Sequence, residues 1–324
     1  MAKQNIVVIG SLPGEAEERL AEKTNMKIWR STDRIPDDQL EEMLADAEGF
    51  ISRGDIKVDD DLLSKAPHLK VIAQSSVGYD NIDIEACTKR LIPYGNTPEV
   101  LNDATADLTY ALLLTSTRKI IQSHTLVRNG AWNSPYDIPM GVGLSGKTLG
   151  IVGMGNIGRG VAKRAHASGM NVIYHNRTQS IENDALGQYT SFDELLESSD
   201  FIVVLLPLNS STKGTFGAAE FKKMKSHAYF INASRGAIVD THALYLALKN
   251  KEIAYAALDV TDPEPINMDN PIMNLDNVLI TPHIGSATTE TRENMASLTA
   301  DNLLAGLNKQ PLPACVNEAV NYKS

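Results

Sequence analysis

Short apolar runs alternate with amphipathic stretches from the start of the chain, and this alternation predicts β/α units. The runs at 6–9, 26–29, 49–52 and 69–73 read as strands, and the stretches at 14–22 and 36–47 as helices covering a small parallel sheet. A second set of runs, at 148–152, 171–174, 201–206, 228–231, 254–258 and 278–281 with helical patterns between them, predicts a complete doubly wound α/β sheet. Between the sets, residues 100–128 carry Leu108, Ala111, Leu112, Leu114 and Thr115 at helical spacing without an internal Gly or Pro. One long helix ending at Asn129-Gly130 is predicted there. Residues 131–145, with Trp132, Pro135, Tyr136 and Pro139 among several glycines, predict an irregular arm packed on something, a second subunit being the candidate. The helical pattern at 288–307 follows when both sheets are already built and is expected to return to the first. The expected division is a discontinuous domain of residues 1–98 and 288–324, with a domain of 99–287 inserted in it. The helix and arm at 100–145 would make a homodimer across a two-fold axis.

The junction between the sets holds Gly153-Met154-Gly155-Asn156-Ile157-Gly158, directly after an apolar run and directly before a helix-like stretch at 159–168. That context turns a common pattern into a dinucleotide site. Gly153 makes the tight turn, Gly155 lets backbone approach a pyrophosphate, and Gly158 lets the helix pack close to the sheet. The exposed N–H groups at the helix start, around Asn156 and Ile157, then face the phosphates. An NAD enzyme usually places an acidic residue about 20 positions further on for the ribose 2′-hydroxyl. Here Tyr174 is followed by His175-Asn176-Arg177-Thr178, and no carboxylate appears until Glu182. Arg177 offers a fork for the 2′-phosphate of NADP, with Asn176 and Thr178 as neutral donors. NADPH is therefore the expected cofactor, with NADH possible.

Composition narrows the partners. With 324 residues, 43% hydrophobic and 22% charged, the chain reads as a globular protein of about two domains. A formal net charge of −10 opposes attraction to nucleic-acid backbones or anionic lipid. The apolar stretch at 5–10 is too short for a signal peptide, since Pro13, Gly14 and acidic residues follow at once, and no apolar run approaches a membrane span. Cys87 and Cys315 are the only cysteines, lie far apart and fit no ligand pattern, so two reduced thiols in a cytoplasmic protein without a metal site are expected.

Three polar clusters sit at the carboxyl ends of predicted strands, where open α/β sheets bind ligands. They are Asn232-Ala233-Ser234-Arg235-Gly236, Asp259-Val260-Thr261-Asp262-Pro263-Glu264-Pro265, and Thr281-Pro282-His283-Ile284-Gly285-Ser286. Among 7 histidines, His283 alone directly follows an apolar strand in a Pro/Gly-flanked loop. Hydride transfer to a keto acid needs a proton donor for the developing alkoxide, and histidine titrates near neutral pH. A carboxylate such as Glu264 on the far ring nitrogen would orient the imidazole and favour its charged form. The substrate carboxylate suits the planar, permanently charged fork of Arg235.

With these residues in view, the chain resembles the D-isomer-specific 2-hydroxyacid dehydrogenases from end to end, on the side of the glyoxylate and hydroxypyruvate reductases, a branch that includes 2-ketogluconate reductases. The resemblance is carried by Ser76-Val77-Gly78-Tyr79-Asp80-Asn81, the glycine motif, the stretch from Asn232 to Gly236, Ala257-Leu258-Asp259-Val260, Pro263-Glu264-Pro265 and Pro282-His283-Ile284-Gly285-Ser286-Ala287. It implies two Rossmann-like doubly wound domains, the substrate domain discontinuous and flavodoxin-like with the nucleotide domain inserted. It also implies reduction of a small 2-keto acid by the catalytic set Arg235, Glu264 and His283. Backbone amides at Val77 and Gly78 would hold the substrate carboxylate, and Asp259 would hydrogen-bond the nicotinamide amide, with Pro207, Ala233 and Gly285 completing the cofactor contacts.

The resemblance leaves the substrate open. Relatives in this branch often carry a second tryptophan shortly after the one matching Trp132, where this chain has Pro135 and Tyr136. Arg53 stands where relatives often have small or neutral residues, and as a second substrate-binding arginine it would suit a longer or more anionic acid. A different class shares fold and triad: the C-terminal binding protein corepressors, which sense nicotinamide binding and carry long disordered tails. This chain ends shortly after Leu312-Pro313, so an enzyme is expected.

Overall fold

The computed structural model describes residues 3–322, and the chain forms two units, Met1–Leu101 with Ser286–Ser324, and Asn102–Gly285. In the first unit the order is β1 (Gln4–Ile9), α1 (Ala16–Lys23), β2 (Thr24–Trp29), α2 (Asp37–Leu44), β3 (Gly49–Ser52), α3 (Asp60–Ser64), β4 (Val71–Gln74), α4 (Ile84–Lys89) and β5 (Tyr94–Gly95). Its 5-stranded sheet runs β2-β1-β3-β4-β5 with every pairing parallel, the flavodoxin-like order. Parallel strands are covered on both faces, which is why they read as near-continuous apolar runs; β3 and β4 are buried at every position.

The second unit begins with α5 (Asn102–Thr117) and α6 (Ile120–Arg128) and continues with β6 (Thr148–Val152), α7 (Asn156–Ala167), β7 (Asn171–His175), α8 (Ile181–Asp184), β8 (Gln188–Tyr189) and α9 (Phe192–Ser198). Then come β9 (Phe201–Val204), α10 (Ala218–Lys223), β10 (Tyr229–Asn232), α11 (Thr241–Lys249), β11 (Tyr255–Leu258) and β12 (Val278–Ile280). The 7-stranded sheet runs β12-β11-β10-β9-β6-β7-β8, all parallel. Its strand order reverses between β6 and β9, so the crevice beyond their carboxyl ends is where such a sheet takes a ligand. The last helix, α12 (Thr289–Leu307), returns to the first unit. There Leu303 and Leu307 lie so close to Gly49 that an added Cβ would sit 3.2 and 3.3 Å from their methyl carbons.

Both parallel sheets agree with the sequence reading, while several smaller elements, helices α3 and α4 among them, go beyond it. The short strands β5 and β8 were not anticipated, because two residues give no periodicity to read. The helix expected over 100–128 is two helices. Lys119 takes a left-handed conformation, φ 52°, and the Thr117 carbonyl accepts a hydrogen bond at 2.8 Å from Val142 N–H of the arm. The Thr117 hydroxyl also turns back onto the Leu113 carbonyl, at 2.8 Å. A tertiary contact thus takes over a carbonyl the helix would have used, and the polar run Ser116-Thr117-Arg118-Lys119 gives no apolar face to resist the break. Among the described residues, no helix is long and apolar enough to cross a membrane, and no cluster of His, Cys, Asp and Glu has the arrangement of a metal site.

At the amino-terminal edge of the second sheet, Asp200 joins three strands. Its carboxylate accepts from Thr148 N–H at 2.9 Å, Lys225 Nζ at 3.0 Å and His227 Nε2 at 3.0 Å. Its own N–H and carbonyl bond Thr148 and Tyr229. Burial raises its pKa, but the Thr148 amide, His227 and Lys225 together outweigh that and hold the carboxyl down at about 2. The stability it contributes is therefore present above the ordinary carboxylate range and is lost as pH falls from about 4 towards about 2. Asp200→Asn is expected to lower unfolding free energy by about 1.5–3 kcal/mol at neutral pH, the range for hydrogen bonds to a charged group. Urea denaturation of both proteins at pH 7 and pH 3 checks this: the difference between them should shrink at the lower pH.

Candidate active site

The glycine loop follows β6, and its geometry separates the glycines by cause. Gly153 has φ 102°, and a Cβ there would lie 2.7 Å from the Leu205 carbonyl oxygen; one on Gly158 would lie 2.6 Å from the Gly153 carbonyl oxygen. Those two are required by the chain's own packing. Gly155 is exposed and a Cβ on it would meet nothing within 4 Å, so the protein itself does not need a glycine there. Close approach of a ligand backbone does explain it. Gly155 supplies no side-chain cap to α7, which leaves the first-turn amides of Asn156, Ile157 and Gly158 as donors for a pyrophosphate. On the buried face of α7, Gly158, Val161, Ala162 and Ala165 keep the helix close to the sheet. These residues fit a dinucleotide.

Beyond β7, Arg177 and Thr178 are exposed, and Arg177 makes no hydrogen bond or ion pair among the described residues. Asn176 also serves the glycine loop: its Oδ1 accepts from Met154 N–H at 2.7 Å and its Nδ2 donates to the Met154 carbonyl at 3.3 Å. Pro207 lies exposed after β9 with its carbonyl bonded by Thr212 Oγ1 at 2.6 Å, and Ala233 follows β10, half-buried.

Three neighbouring strands bring the polar clusters together. The backbone ladder continues past β10, β11 and β12, Asp259 N–H donating to Asn232 O and His283 N–H to Asp259 O, each at 2.9 Å. Asn232 also organises its own turn, donating to Arg235 O at 2.9 Å and accepting from the Ser234 hydroxyl at 2.7 Å. Arg235 Nη1 donates to the Ser234 carbonyl at 2.9 Å. His283 Nδ1 and Glu264 Oε1 are 2.5 Å apart with both side chains exposed, so Nε2 is the ring nitrogen left to face a ligand.

Asp259 is 2% exposed. Its Oδ1 accepts from Thr281 Oγ1 at 2.6 Å and Ile284 N–H at 2.8 Å, and its Oδ2 from Gly285 N–H at 2.8 Å. The carboxylate thus ties the Thr281 hydroxyl, before His283, to the backbone amides that follow it. Thr281 is a partner that the sequence reading did not single out. Its only signal was a hydroxyl two residues before the histidine.

In the first unit, Val77 and Gly78 follow β4. The carbonyls here are occupied: Asn96 Nδ2 donates to Val77 O at 2.9 Å and the Ser76 hydroxyl to Gly78 O at 2.6 Å. Gln74, 2% exposed, supports this turn through Ser76 Oγ at 2.7 Å and Asn81 Oδ1 at 3.2 Å. The amides of Val77 and Gly78 donate to no group among the described residues, which suits an anion. Arg53, expected as a second substrate arginine, is committed elsewhere. Nε and Nη2 grip the Asp55 carboxylate at 2.6 and 2.7 Å, while Nη1 and Nη2 donate to the carbonyls of Ser31 and Asp33 at 3.0 and 2.9 Å. The carboxylate two residues away wins because it is local and bidentate.

Residues 110–285 match the family described as D-isomer specific 2-hydroxyacid dehydrogenase, NAD binding domain. The glyoxylate reductase of Thermococcus litoralis is 43% identical over 325 residues, covering 98% of each chain. The glyoxylate/hydroxypyruvate reductase B of Klebsiella pneumoniae is 41% identical over 322 residues, covering 98% of this chain and 99% of that one. Among solved structures, the NADPH-dependent glyoxylate/hydroxypyruvate reductase of Sinorhizobium meliloti, in complex with NADP and malonate, superposes with a TM-score of 0.89 at 30% identity, covering 100% of this chain and 99% of that one. With glycine loop, paired histidine and glutamate, and full-length likeness in agreement, the chain belongs to the D-isomer-specific 2-hydroxyacid dehydrogenases and uses a nicotinamide cofactor.

Proposed function

We propose that this protein reduces a small 2-keto acid, glyoxylate or hydroxypyruvate, to the D-2-hydroxy acid in the cytoplasm, with NADPH preferred to NADH. The observation that carries the reading is the 2.5 Å contact between His283 Nδ1 and Glu264 Oε1 at the ligand-binding edge of the sheet. When bound, the reduced nicotinamide supplies a hydride to the keto carbon. The carbonyl oxygen then gains charge, and His283 Nε2 delivers the proton that makes it a hydroxyl. Glu264 holds the ring with Nδ1 protonated and steadies the positive charge the ring carries before it gives up its proton. Arg235 binds the substrate carboxylate with its planar fork, and the amides of Val77 and Gly78, which donate to no group among the described residues, are neutral donors that suit an anion. The commitment of Arg53 to Asp55 favours a short acid over a longer, more anionic one.

The cofactor preference rests on Arg177, with no carboxylate from His175 to Thr178 to repel a 2′-phosphate. A second copy of the chain is the proposed partner. Helix α6 has no buried residue, and Ile120, Ile121 and Val127 on it, with Trp132 and Tyr136 of the arm, are large apolar side chains left exposed. Enzymes named glyoxylate reductase at about 40% identity support the substrate class.

His283→Ala is expected to lower kcat on the order of 10²-fold or more, and Arg235→Lys to be severe as well, because a point charge does not reproduce the fork. Steady-state reduction of glyoxylate, hydroxypyruvate, pyruvate and 2-ketogluconate measures both, and near wild-type turnover in His283→Ala would refute the assignment. Arg177→Ala should weaken NADPH about 10- to 100-fold, the worth of one charge-assisted hydrogen bond, and leave NADH nearly unchanged. Dissociation constants for both cofactors decide it. Sedimentation at micromolar concentration should give a dimer that Ile121→Asp dissociates; a monomeric wild type would contradict the proposed interface.

A further inference from the structure

The backbone of Met154, between the first two glycines of the loop, is held by two side-chain amides. Its N–H donates to Asn176 Oδ1 at 2.7 Å, and its carbonyl accepts from Asn183 Nδ2 at 2.8 Å and Asn176 Nδ2 at 3.3 Å. Asn183 is 2% exposed, a burial that an amide tolerates only when its polar atoms are bonded. The remaining acceptor of Asn183, Oδ1, lies 3.4 Å from Arg159 Nη1 in the first turns of α7.

The topology gives this grip its meaning. Asn176 directly follows β7 and Asn183 lies on α8, so the segment between them, which carries Arg177, begins and ends on the Met154 carbonyl of the glycine loop. Further bonds keep that segment folded: the Tyr174 hydroxyl to Asp184 Oδ1 at 2.6 Å, and Gln179 Nε2 to Asp184 Oδ2 at 2.7 Å. The loop and the start of α7 offer donors for a pyrophosphate, and Arg177 stands on the segment pinned beside them. We infer that Asn176 and Asn183 are positioning residues for cofactor selection: their shared hold on the Met154 carbonyl sets the spacing between the pyrophosphate cradle and Arg177. The inference rests on reading Arg177 as the 2′-phosphate ligand. It also means that an acidic residue at 176 would set a second acceptor against the Met154 carbonyl, so cofactor selection at this position is coupled to the shape of the glycine loop.

The test is calorimetric titration of NADPH and NADH into the full-length wild type, Asn183→Leu, Asn176→Ala, Arg177→Ala and Asn183→Leu with Arg177→Ala. Asn183→Leu keeps the volume and removes the bonds; Asn176 is only half-buried, so Asn176→Ala keeps the proposal testable if the leucine variant does not fold. Either single variant should weaken NADPH on the order of 5-fold more than NADH, and in the Arg177→Ala background this selective loss should vanish, as coupled residues require. In the protein without cofactor, hydrogen exchange at the Met154 amide should accelerate in Asn176→Ala, a readout independent of binding. Equal weakening of both cofactors, or no weakening, in folded variants overturns the positioning role while Arg177→Ala still reports on Arg177. If Arg177→Ala itself leaves NADPH binding unchanged, the reading of Arg177 fails and this inference fails with it.

Discussion

The site depends on one buried carboxylate. His283 sits at φ 53°, a left-handed conformation that costs a non-glycine residue roughly 1–2 kcal/mol. Such a conformation persists only where its surroundings over-determine it. Asp259 does that by accepting from the Thr281 hydroxyl before the histidine and from the Ile284 and Gly285 amides after it, while its own carbonyl takes the His283 N–H. Hydrogen bonds to a charged acceptor are worth about 1.5–3 kcal/mol each, so together they exceed the strain. The imidazole is thereby aimed at Glu264 by the backbone, and the Glu264 contact only completes the arrangement.

A second constraint recurs in both units: carbonyls are tied down so that neighbouring amides remain available. At Val77 and Gly78 the side chains of Asn96 and Ser76 occupy the carbonyls. At the glycine loop Asn176 and Asn183 occupy that of Met154. In each case the backbone leaves N–H groups without a partner among the described residues, and backbone donors fixed in place suit an anion because no reorganisation is needed when it arrives. The carboxylate of a keto acid and the pyrophosphate of a dinucleotide are both anions of that kind.

Legibility in the sequence followed the range of the interaction. The strands were readable because a parallel sheet buries both faces of each strand, leaving apolar runs such as Phe201-Ile202-Val203-Val204. Arg53 misled because an arginine in a loop after a strand looks the same whether its fork faces a ligand or, as here, a carboxylate two residues away. The helix over 100–128 misled for the opposite reason. No Gly or Pro marks the break, and the carbonyl that ends α5 is claimed by Val142, far along the chain.

The amino-acid sequence by itself determined the two parallel sheets, the glycine turn between strand and helix, and the short list of residues from which the site is drawn, because each follows from local periodicity or from a residue type whose chemistry has few substitutes. The tertiary structure alone decided which of those residues are held, and by what. It placed Glu264 on His283, turned Asn176 back onto Met154, buried Asp259 under the histidine loop and took Arg53 away with Asp55. Each of those outcomes is a competition among several polar partners for one donor or acceptor, and only distances in space settle it.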